Sequence, residues 1–477
     1  MKPTKLSLSS AILPLMILIA LLTYNVTVFG DDALGGSNQF ILLIGAMIAG
    51  LVGIRNKVSY GQMLQKVGDN LQSVTGPILI LLMVGSLAGT WLLSGVIPAM
   101  IDYGLQIANP RFFLPGCVMI AALVSLATGS SWSTSATIGI ALIGIGKALE
   151  IPMGMVAGAI ISGAYFGDKL SPLSDTTNLA PAMAGGELFT HIRYMLYTTF
   201  PSFVITLIIF FVLGWGFAAN GEVDTSAFSQ SIHEKFNISP WLFLVPLAVI
   251  FMIVKKTPPL LALFLGTLLG GIFAVLFQPQ LLLELSGKEV LNFKATYQSV
   301  LNAITVTTQI ETTDPRLSAL LSSGGMQGML GTVWLIICAM VFGGVMDAIG
   351  ALQALSNVFL KWAQNTFQLI AGTVASALTV NLTASDQYLA IVVPGKMFAQ
   401  AYRDRKLAPE NLSRTLEDAG TVTSVLVPWN TCGAYHSGVL GVGVGEYFMY
   451  AFFNWMSPLM TLFYAYFKIK IKKLKID

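Results

Sequence analysis

Apolar residues run along this chain in long blocks rather than alternating with polar ones. Crossing a bilayer takes a helix of roughly 20 apolar residues. Ten blocks approach or exceed that length, near 8–29, 38–54, 74–100, 152–182, 193–218, 239–254, 258–277, 326–348, 412–442 and 445–467. Two more, 112–149 and 365–400, are interrupted midway by polar runs and read as re-entrant hairpins. The first block is too long for a cleaved signal, and no small-residue cleavage site follows it. The expected fold is therefore an all-α polytopic membrane protein of ten transmembrane helices plus two re-entrant hairpins.

Polar residues at membrane depth are costly and mark function. They fall in four clusters. The first hairpin tip carries Thr128 to Ser135 (TGSSWSTS), and the fourth span carries Gly167 to Asn178 (GDKLSPLSDTTN). The second hairpin tip carries Asn381 to Gln387 (NLTASDQ), and the ninth span carries Pro428 to Gly433 (PWNTCG). Pro172 and Pro428 each remove a backbone donor, so both spans are expected to unwind there. Broken backbone is tolerated at depth where it is buried in protein or lines a watery cavity. Freed carbonyls and Ser, Thr and Asn oxygens suit a small alkali cation, and Asp168 and Asp175 add negative charge.

The order hairpin tip, then broken span, occurs twice. Ser135 and Ser385 stand 250 residues apart, and Asp175 and Asn430 stand 255 apart. Five spans and a hairpin per half make the halves inverted, as in transporters with midplane sites between discontinuous helices. The expected division is a first repeat at 1–218, an extracellular linker at 219–238 and a second repeat at 239–477. The second repeat carries an extracellular insertion at 278–325 that lies on the membrane surface.

Charge fixes the orientation. With the N-terminus cytoplasmic, 19 of the 26 Lys and Arg residues face the cytoplasm and 6 face outward, leaving Lys169 in the membrane. This bias is the positive-inside pattern. Both termini are then cytoplasmic, in a prokaryotic-type inner membrane. Only 10% of residues are charged against 55% hydrophobic, too few charges to cover a soluble domain. The net charge of +3 gives no basis for a nucleic-acid partner. Cys117, Cys338 and Cys432 are far apart and offer neither disulfide framework nor metal spacing. No nucleotide loop, HExxH or paired nucleophile and base occurs, so an enzyme is not expected. No cofactor is expected either.

At these clusters the sequence resembles the NhaC-type sodium/proton antiporter family. The resemblance rests on Gly167 to Pro181 (GDKLSPLSDTTNLAP), Thr128 to Thr137 (TGSSWSTSAT) and Glu417 to Gly433 (EDAGTVTSVLVPWNTCG), and spans about residues 10 to 465. It implies an ion-transporter architecture, a homodimer and elevator-like alternating access, with sodium and protons as transported species. The family includes relatives that exchange organic acids, so a carrier of an organic acid or amino acid coupled to sodium and protons is the alternative.

Asp175, Thr176 and Asn178 are candidate sodium ligands, with Ser133, Thr134, Ser135, Thr383, Ser385, Asp386, Asn430 and Thr431 completing the set. A sodium ion would be held chiefly by Asp175, Asn178, Ser135 and Asn430. Asp175 and Asp386 also read as helix caps. Proton coupling falls to Asp168, Lys169, Asp175, Asp386, Glu417 and Asp418. Lys169 pairs locally with Asp168, holds it poised, or occupies a cation position in the ion-free state. Glu417 and Asp418 form a path for protons from the cytoplasm or a solvated helix start. Asp347 is read as solvated. His191 and His233 fall in loops, and His436 is a pH sensor or a lone hydrogen-bonded side chain. Partners are small cations, an organic solute in the alternative reading, and membrane lipid.

Overall fold

The computed structural model describes residues 6–29, 35–107, 109–217, 226–312, 318 and 321–474. Lys2, Lys5, Arg316 and Lys475, and part of the 219–238 linker, lie outside the described residues. The fold is an all-α polytopic membrane protein; among the described residues, only a two-residue antiparallel pair, Thr308–Gln309 with Ser322–Ser323, is a named β-sheet. Seven described helices are long and apolar enough to cross a membrane, or eight if the pair Ser229–Lys235 and Pro240–Val254, bent by 90°, is one span.

The first hairpin runs Pro110–Thr128, turns at Gly129 and returns over 131–148. Its first arm is among the seven span-length helices. At about 1.5 Å per residue such an arm matches the hydrocarbon thickness, so it is longer than a shallow re-entrant loop requires. The expected span 74–100 is instead two helices, Thr75–Leu93 and Val96–Ile107, separated at Gly95 with φ 81°. Tyr60–Ser73 and Ala351–Trp362 are amphipathic helices that hydropathy alone passes over. The Ser59 hydroxyl accepts from the Gln62 amide at 3.3 Å and starts the former. Its Met63 and Val67 are buried, and it packs on Leu330–Ala348. The insertion 278–325 is not merely laid on the surface. Phe293–Thr305 packs on Thr75–Leu93, where a Cβ on Gly89 would lie 1.8 Å from the Ala303 carbonyl oxygen.

Both expected breaks are present, with different extents. Met153–Leu170 ends, Ser171 to Ser174 are non-helical, and Asp175–Ala184 begins. In the second, Pro409–Leu416 passes into a π-helical turn at Glu417–Thr421 and a 3₁₀ turn at Ser424–Leu426 before Thr431–Leu440. That unwinding starts well before Pro428, so the proline is not its sole cause. The first hairpin seats tightly on Met153–Leu170: a Cβ on Gly163 would lie 2.2 Å from the Val118 carbonyl oxygen, and one on Gly167 2.4 Å from that of Ala122. Small residues let membrane helices approach to backbone contact.

Element order recurs with a fixed offset. Helices starting at Thr75, Val96, Pro110, Ser131, Met153 and Asp175 are matched by helices starting at Leu330, Ala351, Thr366, Gln387, Pro409 and Thr431, each 255 or 256 residues later. Left-handed residues recur too: Gly95 with Gly350, Gly129 with Ser385, and Gly185 with Gly441. Ser385 therefore stands opposite Gly129 rather than Ser135. Thr431 stands opposite Asp175, and Asn430 opposite Ser174. Sequence alone misaligned these because the tips share no residue identity.

Candidate ion site

The two hairpin tips and the first helix break meet around one cavity of about 620 Å³. Each tip is built by an N-cap. Ser130 accepts from the Ser133 amide at 3.1 Å, and Asp386 accepts from the Leu389 amide at 2.9 Å. Ser174 caps Asp175–Ala184 in the same way. Such caps satisfy amides that the helix cannot, and they bring three helix starts to one space.

Asp168, Asp175 and Asp386 all line this cavity, with Ser133, Thr176 and Thr431. The Asp168 carboxylate accepts from the Ser131 amide at 3.1 Å and from its hydroxyl at 2.7 Å. Asp175 is exposed to the cavity in the first turn of its helix, where the dipole favours a negative charge. Among the described residues, Lys256 is the one basic residue in the lining. The arrangement offers carboxylates and hydroxyls to a hard cation, which takes oxygen ligands.

Other expected ligands face elsewhere and hold the scaffold. Asn178 donates to the Pro172 and Ser174 carbonyls at 3.0 and 2.7 Å, capping the backbone freed by the break. Thr134 donates to the Ser130 carbonyl at 2.9 Å, and Thr383 to that of Thr379 at 2.7 Å. Ser135 is bonded to His436 Nδ1 at 2.9 Å, deep in the core. His436 is thus a buried, hydrogen-bonded side chain. Asn430 caps Thr431–Leu440 and donates to the Asn381 carbonyl and side-chain oxygens at 3.2 and 3.1 Å. Ser385 contributes its backbone, accepting from the Thr431 amide at 2.9 Å. Asn178, Ser135 and Asn430 do not line the cavity, and their side chains take part in the bonds just described.

The expected surroundings of Lys169, Glu417 and Asp418 also change. Lys169 does not pair with Asp168: the Asp168 carboxylate faces the cavity and the Lys169 ammonium faces Asp418. The Lys169 ammonium is paired with Asp418, and both side chains are fully buried. Asp418 also accepts from Ser457 at 3.2 Å, from Thr198 at 2.9 Å and from Thr461. Glu417 is fully buried, and its carboxylate oxygens have no hydrogen-bond partner among the described residues. Neither acid is a solvated helix start. They lie inward because 409–426 packs between the second hairpin, Leu188–Phe217 and Phe452–Tyr466. Asp347 is paired with Lys66 at 2.9 Å rather than free in solvent. His191 is buried in a helix, bonded to Ser413 at 2.7 Å, and His233 is helical and bonded to Asp102 at 3.1 Å.

Sequence reasoning missed Tyr388 and Thr257 as lining residues. Tyr388 directly follows the Asp386–Gln387 polar pair and carried a detectable signal. Thr257 sits in a turn with none. Trp132 stacks on Tyr435, ring centroids 3.9 Å apart, forming an aromatic wall beside the first tip.

Residues 163–469 match the Na+/H+ antiporter family. The chain is 37% identical over 432 residues to the Na(+)/H(+) antiporter NhaC of Alkalihalophilus pseudofirmus, covering 91% of this chain and 90% of that one. It is 35% identical to the malate-2H(+)/Na(+)-lactate antiporter of Bacillus subtilis, over 93% of this chain and 92% of the relative. It is 30% identical to the arginine/ornithine antiporter ArcD of Halobacterium salinarum, over 96% and 91%. These relatives are transporters by name, and two of the three names include sodium. The three-carboxylate cavity and this similarity along almost the whole chain agree: the protein belongs to the NhaC-type Na+/H+ antiporter family.

Proposed function

We propose that the chain exchanges sodium for protons at the cavity bounded by Asp168, Asp175 and Asp386. A sodium ion displaces a proton from a carboxylate, and a returning proton releases the sodium. The observation that carries this reading is the meeting of three carboxylates, from two segments distant in sequence, in one space whose only basic lining residue among those described is Lys256. Sodium and protons are cargo, and no cofactor takes part. In this reading ten spans and two hairpins form two inverted repeats, 1–218 and 239–477. The hairpins and broken helices shift as an elevator within a homodimer. The chain sits in a prokaryotic-type inner membrane with both termini cytoplasmic.

One observation favours a second reading, transport of an organic solute with sodium and protons. About 620 Å³ is far more space than one cation needs, since a water molecule occupies about 30 Å³ in the liquid. Relatives named for malate, lactate, arginine and ornithine fit that reading. A carboxylate solute commonly recruits arginine, and no described arginine lines the cavity; its charge suits a cationic solute better.

Sodium-driven proton flux in proteoliposomes tests both, with and without candidate carboxylates and amino acids. Flux with sodium alone supports exchange of the two cations. Strict dependence on an organic solute supports the second reading.

A further inference from the structure

A second, smaller cleft of about 370 Å³ lies between the start of Leu188–Phe217 and the C-terminal tail. Arg193 and Tyr197 from the helix, and Lys470 and Lys472 from the tail, line it. The tail is fixed in place. The Ala408 amide donates to the Lys472 carbonyl at 3.0 Å, and the Leu474 amide to the Lys406 carbonyl at 2.9 Å. Tyr194 donates to Asn411 at 2.7 Å and to the Lys470 carbonyl.

Charge in the cleft is only partly balanced. Lys472 is spent on Glu410 at 2.6 Å. Arg193 is exposed and forms no ion pair among the described residues. The Lys470 ammonium lies 4.8 Å from the centroid of the Tyr197 ring, also without a carboxylate partner among the described residues. Below Arg193 the same helix face continues through Tyr197 and Phe200, one and two turns along, and Phe200 is 60% exposed. Residues at this spacing share one side of a helix. A basic mouth thus opens onto an exposed aromatic ridge.

We propose that this cleft binds the phosphate of an anionic phospholipid headgroup, with the acyl chains lying along Tyr197 and Phe200. A free phosphate would satisfy Arg193 and Lys470 but leave the ridge uncovered. Basic pockets between helices at the membrane surface recognise such headgroups, and aromatic residues anchor at that level. By joining helix and tail, the lipid would clamp the tail against the 406–411 segment. The inference does not depend on which solute the cavity carries.

The test uses the full chain purified in detergent, titrated with phosphatidylglycerol, phosphatidylcholine or inorganic phosphate. Native mass spectrometry reads retained lipid and thermal unfolding reads stabilisation. Saturable phosphatidylglycerol binding is expected, weakened roughly ten- to thirty-fold in Arg193→Gln/Lys470→Gln, given the contribution of each basic residue near an anionic surface. Each single variant should show a partial loss, so the result does not hang on the double variant folding. Unchanged binding in all three would overturn the proposal. So would equal stabilisation by phosphatidylcholine or by inorganic phosphate, or an equal loss in Lys288→Gln/Lys294→Gln.

Discussion

Lys169 and Asp418 form a fully buried ion pair between residues 249 positions apart in sequence. Their neighbours Asp168 and Glu417 are left to other tasks, one facing the cavity and one enclosed in the core. The pair joins the end of the first broken helix to the π-helical turn of the second. Ser457, Thr198 and Thr461 complete the carboxylate's hydrogen bonding. A buried charge that loses its partner is left uncompensated, typically at a cost of about 3–5 kcal/mol. Lys169→Met and Asp418→Asn should each lower stability by about that much, whereas Lys169→Met/Asp418→Leu should lose less than the sum of the two. Denaturant or thermal unfolding in detergent reads this cycle, and additive losses would show that the pair is not coupled.

Asp175 is exposed to the cavity and forms no hydrogen bond or ion pair with the described residues, so its charge is available to cargo. Asp175→Asn should abolish sodium-dependent proton flux while the protein stays folded. Normal flux from purified variant in vesicles would remove Asp175 from the exchange mechanism.

Asn178 separates a structural role from ligation. Its amide caps two carbonyls freed at the break. Asn178→Ala should cost about 1 kcal/mol, the usual net value of such bonds, with the apparent sodium affinity unchanged. A large rise in the sodium concentration for half-maximal flux would instead make it a ligand.

The two hairpin tips answer oppositely to glycine. Ser385 has φ 61° and Gly129 φ 72°. The left-handed region costs a non-glycine residue about 1–2 kcal/mol. Ser385→Gly should therefore be neutral or raise the unfolding temperature, because its hydroxyl has no partner among the described residues. Gly129→Ala should lower it, because the new Cβ would also lie 2.6 Å from the Leu173 Cβ. Equal responses at the two tips would show that backbone conformation is not what they share.

Lys66 responds to pH outside the membrane-spanning helices. Its hydrogen bond and charge interaction with Asp347 raise its pKa above the ordinary 10.5. A raised lysine pKa gives stability that is complete below pH 10.5 and is lost as pH climbs through the higher folded value. Lys66→Met should flatten that alkaline limb of the stability curve. An unchanged limb would assign the pH dependence to other groups.

The membrane class and the places where polarity concentrates are already legible in the linear order of residues. Apolar length and scarce charge are local quantities, and burying polar groups in a bilayer is expensive enough to confine them to sites that matter. Asp168, Asp175 and Asp386 were legible for that reason. Which side chain enters the cavity was not, because each residue along a helix turns about a quarter of the circumference from the last. That rotation sends Ser133 to the cavity and Ser135 to His436, and Asp168 to the cavity and Lys169 to Asp418. Only packing between distant segments sets the phase of each helix. The burial of Glu417 and Asp418 and the cleft at Arg193 and Lys470 were therefore decided by tertiary structure alone.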